Sequence, residues 1–310
     1  MQESAGVRPP RASTTEPANW RVCDAHDEGG ERLRARVGHQ LDIIYVGFVL
    51  GHGGDALQML SLAHGMRLRG ANVKIIVPNT ATTAAFPARC AAVGIECERS
   101  DLITADMEGA RQSLRAVIRL LRSLDAPLVH FHTGNSCLPR KVMLALELLR
   151  FRPAFVTIHS PYETIVPGGA RARFWAGTAG RRFLAVVSPS KHATFFQERC
   201  GLRSDLALTV RNTIDIETAA SGDGRGPRAE LGVDADDPIV LFCSRIDAQK
   251  RPVDAVQAFA AVADEFPKAL LVFVGVGDCV DAVALEATRL GVHGRVRLLG
   301  YQTNVPDWLA

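Results

Sequence analysis

Two cations spaced five residues apart give the first hint of chemistry in this chain. In P-I-V-L-F-C-S-R-I-D-A-Q-K-R, residues 238–251, Arg245 and Lys250 follow six apolar or small residues and precede Pro252. The run from Ile239 to Ser244 reads as a central strand buried on both faces, and Pro252 stands where a helix begins. Arg245 and Lys250 therefore sit at the C-terminal end of a strand, where open α/β sheets bind ligands. Both can turn toward one anion, Arg as a bidentate fork and Lys as a point charge, and Arg251 adds a third cation. A solvated basic loop has the same pattern, so the surrounding elements must decide.

Glycines and histidines mark a second place. The loop V-L-G-H-G-G-D puts Gly51, Gly53 and Gly54 between an apolar run and a helical pattern. Without Cβ atoms, such a backbone can approach a ligand closely and offer N–H groups, and the helix N-terminus adds partial positive charge. A turn that only packs helix on strand fits the same residues. The spacing G-x-G-G is not the G-x-G-x-x-G of dinucleotide binding, which argues against a nicotinamide oxidoreductase. His130 and His132 share one face of L-V-H-F-H-T, because strand side chains alternate. His130 reads as a packed, satisfied ring. His132, nearer the strand end, is placed to reach a cleft, and His159 closes the strand A-F-V-T-I-H at the sheet edge. For His159 a core ring and a site residue fit equally.

These side chains need a βα scaffold to hold them. Strands are expected at 41–48, 73–78, 128–133, 154–159, 183–188 and 206–210. The intervening helices lie near 56–69, 82–93, 108–124, 139–150 and 190–201. Met59, Leu60, Ala63 and Met66 form one apolar face that Gly70 closes. Residues 162–182 read as an irregular loop leading into a short helix, and an acceptor-contacting segment and a plain connection fit it equally. Residues 1–39, poor in apolar side chains, read as a disordered arm. Residues 40–216 make a first Rossmann-like domain, 217–237 (with S-G-D-G-R-G-P) a linker, and 238–310 a partial second domain. In that second domain, strands at 239–244, 270–275 and 295–298 alternate with helices at 253–265 and 279–290.

Composition narrows the classes. The 310 residues are 47% hydrophobic and 22% charged, enough for two real cores. A net charge of +3 is too small to argue for a nucleic-acid surface. Seven cysteines without C-x-x-C spacing argue against zinc or a redox dithiol. Cys243 and Cys279 read as small core residues and the thiols as reduced, in a cytoplasmic protein. No run reaches the ~20 apolar residues of a spanning helix, and peripheral membrane contact stays open.

With these pieces placed, residues 41–310 resemble a retaining glycosyltransferase of family 4, with the GT-B fold of two doubly wound Rossmann-like domains facing a cleft. G-G-D-A matches the family's G-G-x-E in its glycines but not in its acid. T-I-H-S, with His159, is similar to its T-x-H-D. R-N-T-I-D keeps Asn212 and Asp215 of its P-N-G-V-D. S-R-I-D-A-Q-K-R followed by L-V-F-V-G-V-G-D is the strongest match. The resemblance implies sugar transfer from a nucleoside diphosphate sugar, UDP- or GDP-linked, to a glycan, lipid-linked or small-molecule acceptor, without a cofactor. His159, Arg245 and Lys250 would be catalytic. Gly53, Gly54, Arg245, Lys250 and Asn212 would bind the donor. No D-x-D stands in a suitable place for a metal, and the two cations would hold the departing diphosphate instead. The family's two Glu separated by seven residues are not in this sequence. The chain therefore reads as C-terminally truncated, and a non-catalytic binding module is the alternative.

Overall fold

The computed structural model describes residues 42–49, 53–103, 113–134, 138–159, 169–188, 197–198, 201–214, 216–302 and 304–310. The expected arm over 1–39, Gly51, the start of the helix expected from Glu108, the loop 162–168, Ser190 and Asp215 lie outside them. Internal packing divides the chain into two units, the boundary falling between Thr213 and Ile214.

The first unit alternates strands and helices: β1 (Asp42–Phe48), α1 (Gly54–Leu68), β2 (Asn72–Pro78), α2 (Phe86–Ala92), β3 (Glu96–Ser100), α3 (Leu114–Ser123), β4 (Leu128–Thr133), α4 (Arg140–Leu148), β5 (Ala154–Ile158), α5 (Gly169–Arg182), β6 (Phe183–Ser188) and β7 (Ala207–Thr209). All neighbouring strands pair in parallel, in the order β3-β2-β1-β4-β5-β6-β7. The chain steps outward from β1 to β3, then returns to β4 on the other flank of β1. Its direction reverses between β1 and β4, and at such a switch point loops diverge and leave a crevice beyond the strand ends.

The period-two alternation of β1 sorts two cores. Ile44, Val46 and Phe48 pack with Val117, Leu120, Val142, Leu146 and Trp175, beneath α3, α4 and α5. Ile43 and Tyr45 pack with Met59, Ala63, Phe86 and Cys90, beneath α1 and α2. The segment expected as a loop leading into a short helix is, from Gly169, a 14-residue helix that buries Ala172, Trp175 and Ala179. Trp175, Thr178 and Ala179 recur at helical spacing, a stripe that its many Arg and Gly residues obscure in the sequence.

The second unit holds α6 (Ile216–Ala219), α7 (Arg225–Leu231), β8 (Ile239–Cys243), α8 (Pro252–Val262), β9 (Leu270–Val274), α9 (Val280–Arg289), β10 (Val296–Leu298) and α10 (Val305–Leu309). Its sheet is parallel, ordered β10-β9-β8. Two expectations change here. The strand read as central and buried on both faces, β8, lies at the sheet edge, with Val240 48% exposed and Cys243 exposed rather than in the core. The central, wholly buried strand is β9, because it alone has a strand on each side. The stretch read as a linker, 217–237, carries α7 and most of α6. Gly224 and Gly232 bound α7 in left-handed conformations, and Leu231 and Val233 pack with Trp308. Its turn-forming residues are helix boundaries, not open loop.

Candidate active site

In the first unit, the residues with chemistry gather at the C-terminal ends of β1, β4 and β5. Gly53 is the N-cap of α1, its carbonyl accepting the Leu57 N–H at 3.2 Å. Gly54 is exposed, and a Cβ built on it would meet nothing within 4 Å. Among the described residues, no packing demands glycine at this position. Asp55, in the first turn of α1, accepts the Ala56 N–H at 2.9 Å.

Parallel register aligns the histidines. His132 of β4 lies opposite Thr157 of β5, which places His159, two residues further, beside the end of β4. The His159 N–H is anchored on the Thr133 carbonyl at 3.0 Å. His132 Nδ1 and His159 Nε2 are 3.0 Å apart, sharing one hydrogen bond. His132 is fully buried. Among the described residues, neither His132 Nε2 nor His159 Nδ1 has a partner. His130 lies behind them, its ring 4.3 Å from that of His132 and its Nε2 2.8 Å from Thr157 Oγ1. It is the satisfied histidine its position suggested. Tyr45 closes the inner end of this row, 5.2 Å from His130 between ring centroids.

Burial sets the charge of this row. It pushes the His130 pKa down to about 3, with His159 adding repulsion, and holds His132 well below the ordinary range. His159 is lowered too, by burial, while the neighbouring Asp55 carboxylate pulls the other way. At neutral pH the cluster is a set of neutral imidazoles. It can donate and accept hydrogen bonds but brings no fixed charge.

Asn212 is exposed on the segment after β7, next to Thr213. Thr213 is fastened across α1 by its N–H to Gln58 Oε1 at 3.0 Å and by its hydroxyl to Ser61 at 3.3 Å. The structure thus brings Asn212 to α1 but shows no hydrogen bond of its side chain to a described residue.

In the second unit, the loop after β8 is one turn of 3-10 helix, Ala248–Lys250. Asp247 caps it, accepting the Lys250 N–H at 3.2 Å. The same carboxylate pairs with Arg245 at 3.1 Å, and Arg245 also donates to Gln249 Oε1 at 3.1 Å. Arg245 is therefore partly neutralised within its own loop. Lys250 has no ion pair among the described residues, and Arg251, at φ 54°, pairs with Asp254. The loop leans on the one after β9. Ile246 N–H donates to Val276 O at 2.9 Å, and Cys279 N–H to Ile246 O at 3.0 Å. A Cβ on Gly275, which has φ 150°, would lie 1.9 Å from Ser244 O; one on Gly277 would lie 2.1 Å from Ile246 O. Only glycine permits this approach. Asp55, Asp247 and the His132–His159 contact were not assigned from sequence. An acid in the first turn of the helix after β1 was the signal available for Asp55.

Among the described residues, no three His, Cys, Asp or Glu gather as a metal site, and no helix is long and apolar enough to cross a membrane.

The fold has close parallels among solved structures. HepE of Anabaena, in complex with UDP-glucose, matches with a TM-score of 0.68 at 21% identity, over 87% of this chain and 71% of that one. The sucrose-phosphate synthase of Thermosynechococcus elongatus matches with a TM-score of 0.61 at 15% identity, over 87% and 72%. A UDP-N-acetylglucosamine 2-epimerase from Rickettsia bellii matches with a TM-score of 0.52 at 11% identity, over 86% and 70%. At such identities the likeness is one of fold, and it spans enzymes of different reactions. No curated protein sequence matches. The family models separate the reactions: Glycosyltransferase Family 4 matches residues 52–218, more than half the chain, and Glycosyl transferases group 1 matches residues 227–310. With both parallel units covered in their expected order, the chain belongs to the glycosyltransferase family that these models describe, on a GT-B scaffold.

Proposed function

We propose that this chain is a retaining, metal-independent glycosyltransferase of family 4 that uses a UDP- or GDP-linked sugar as donor. The observation that carries this reading is the β8 loop. There, Lys250 is a cation without an ion pair among the described residues, held by a rigid turn beside Arg245 at a strand's C-terminal end. HepE, a relative in fold, binds UDP and UDP-glucose.

In the reaction, the bond from the sugar's anomeric carbon to the β-phosphate oxygen breaks, and its electron pair stays on the diphosphate. Lys250 and Arg245 stabilise that growing charge, in the role a divalent metal would otherwise fill. Asp247 tempers Arg245, so Lys250 carries the larger share. The acceptor hydroxyl oxygen bonds to the anomeric carbon on the face the diphosphate leaves, and its proton passes to the departing phosphate oxygen. Retention follows from that same-face attack. His159, a neutral imidazole whose buried Nδ1 has no partner among the described residues, hydrogen-bonds a sugar hydroxyl, and His132 fixes its ring. The amides at Gly53 and Gly54 hold anionic oxygen, and Asn212 adds a polar contact above α1.

The test is calorimetric titration of the full chain with UDP and GDP, followed by nucleotide-release assays with sugars of each and anomer analysis by NMR. Lys250→Ala should weaken nucleoside diphosphate binding roughly tenfold to a hundredfold, as expected for a charged hydrogen bond of about 1.5–3 kcal/mol. Unchanged affinity in that variant, or product of inverted configuration, overturns the reading.

A further inference from the structure

Positive charge is concentrated on one helical layer. The helices α3, α4 and α5 lie side by side over one face of the seven-stranded sheet. Together they contain nine Lys or Arg and one acid, Glu147, a net of +8 in a chain that carries +3. All other residues therefore sum to −5. Glu147 does not offset the outer surface, since Arg181 and Arg182 already hold it at 2.8 and 3.1 Å.

The exposed side chains are ordered. On α3, Arg115, Arg119 and Arg122 recur at spacings of four and three, opposite the buried Val117, Leu120 and Leu121. None of the three pairs with a described carboxylate. On α4, Arg140 is followed at four-residue spacing by Leu144 and Leu148, 38% and 60% exposed. On α5, Arg173 stands beside Phe174, 41% exposed. Arg122, Arg150, Arg152 and Asp125 line a depression of about 490 Å³ where α3 and α4 end.

We propose that this face docks on an anionic lipid bilayer. Cations attract the charged headgroups, and the apolar side chains among them enter the headgroup–acyl boundary. A nucleic-acid backbone would satisfy the arginines but offer nothing to Leu144 and Leu148. The inference rests on charge and exposure alone and does not depend on the donor site.

The experiment is sedimentation of the full chain with vesicles of phosphatidylcholine, alone or mixed with phosphatidylglycerol. Binding is expected only with the anionic lipid and should weaken as salt is added. A basic residue near an anionic surface is worth roughly fivefold in partitioning, so combined Arg115→Gln, Arg119→Gln and Arg122→Gln should cost on the order of a hundredfold. Arg140→Gln with Arg173→Gln, on the other two helices, should cost at least roughly tenfold. Leu144→Ser with Leu148→Ser should remove the binding that survives high salt. No binding to anionic vesicles, equal binding to neutral ones, unchanged partitioning of the arginine variants, or binding of duplex DNA without vesicle binding would overturn the proposal.

Discussion

The two units build their candidate stations by opposite means from the same βα plan. In the first, buried imidazoles at the switch point of a seven-stranded sheet are held by side-chain hydrogen bonds, His132 to His159 and His130 to Thr157, and stay neutral. In the second, cations stand on an exposed loop at a sheet edge, and backbone contact with the next loop fixes them. Burial suits a group that must direct a neutral hydroxyl, and exposure suits a group that must keep its charge. The contrast teaches that a strand's C-terminal end prescribes where a site is but not its electrostatics. Those come from how deeply the strand is packed.

The largest expected effect tests the backbone half of this contrast. Gly275→Ala would force a Cβ against Ser244 O at 1.9 Å, a main-chain atom that cannot swing away. The second unit should lose about 3 kcal/mol or more. Urea denaturation followed by Trp308 fluorescence, with Trp20 and Trp175 changed to Phe, reads that unit alone. A loss under about 1 kcal/mol would mean the two loops are not locked together.

His159→Ala tests the side-chain half. Turnover should fall roughly a hundredfold, the usual cost of one directing hydrogen bond in a transition state, while the nucleotide affinity that Lys250 governs stays unchanged. Equal losses of both would erase the division of labour. His132→Phe keeps the bulk and removes the fixing hydrogen bond. It should lower turnover less than His159→Ala and leave donor KM near its original value, which a merely structural role would not do.

Much of this was legible beforehand because period-two alternation is a local property. It placed His130 and His132 on one face and His159 at a strand end from a dozen residues. The contact between His132 and His159 was not legible, since it depends on β4 and β5 being neighbours in register. The edge position of β8 was hidden for the same reason: I-V-L-F-C has the apolar run of a central strand, and only the sheet order exposes Val240 and Cys243. Asp55 and Asp247 went unassigned because an acid beside a glycine loop or a cation reads as a solvated charge until its partners are known. The stretch 217–237 misled through composition, as glycines that bound helices are counted with glycines that make linkers.

Acid should separate the units further. His130 has its folded pKa depressed to about 3, against an ordinary value near 6.5 when unfolded. Between those values the unfolded chain binds the proton that the folded chain refuses. The favourable contribution is therefore complete above pH 6.5 and is lost as pH falls toward 3, with a slope approaching about 1.4 kcal/mol per unit. His132 and His159 act in the same direction. Urea titrations monitored by Trp175 fluorescence at several pH values should show the first unit weakening below pH 6.5, and His130→Gln should flatten that slope. An unchanged slope would place the protonation elsewhere.

The smallest effect probes a charge that acts on the neutral cluster, that of Asp55. Burial lowers the His159 pKa, and the Asp55 carboxylate, at the first turn of α1, opposes that shift without hydrogen-bonding to the ring. Asp55→Asn keeps the shape and the acceptor for Ala56 N–H but removes the charge. Burial is then unopposed, so the His159 pKa should move further down. NMR titration of its imidazole Cε1–H in both proteins measures this directly. A downward move makes Asp55 the residue that keeps His159 closest to titrating among the three histidines. An upward move or none would show the carboxylate to be screened, and the first station would then be neutral throughout.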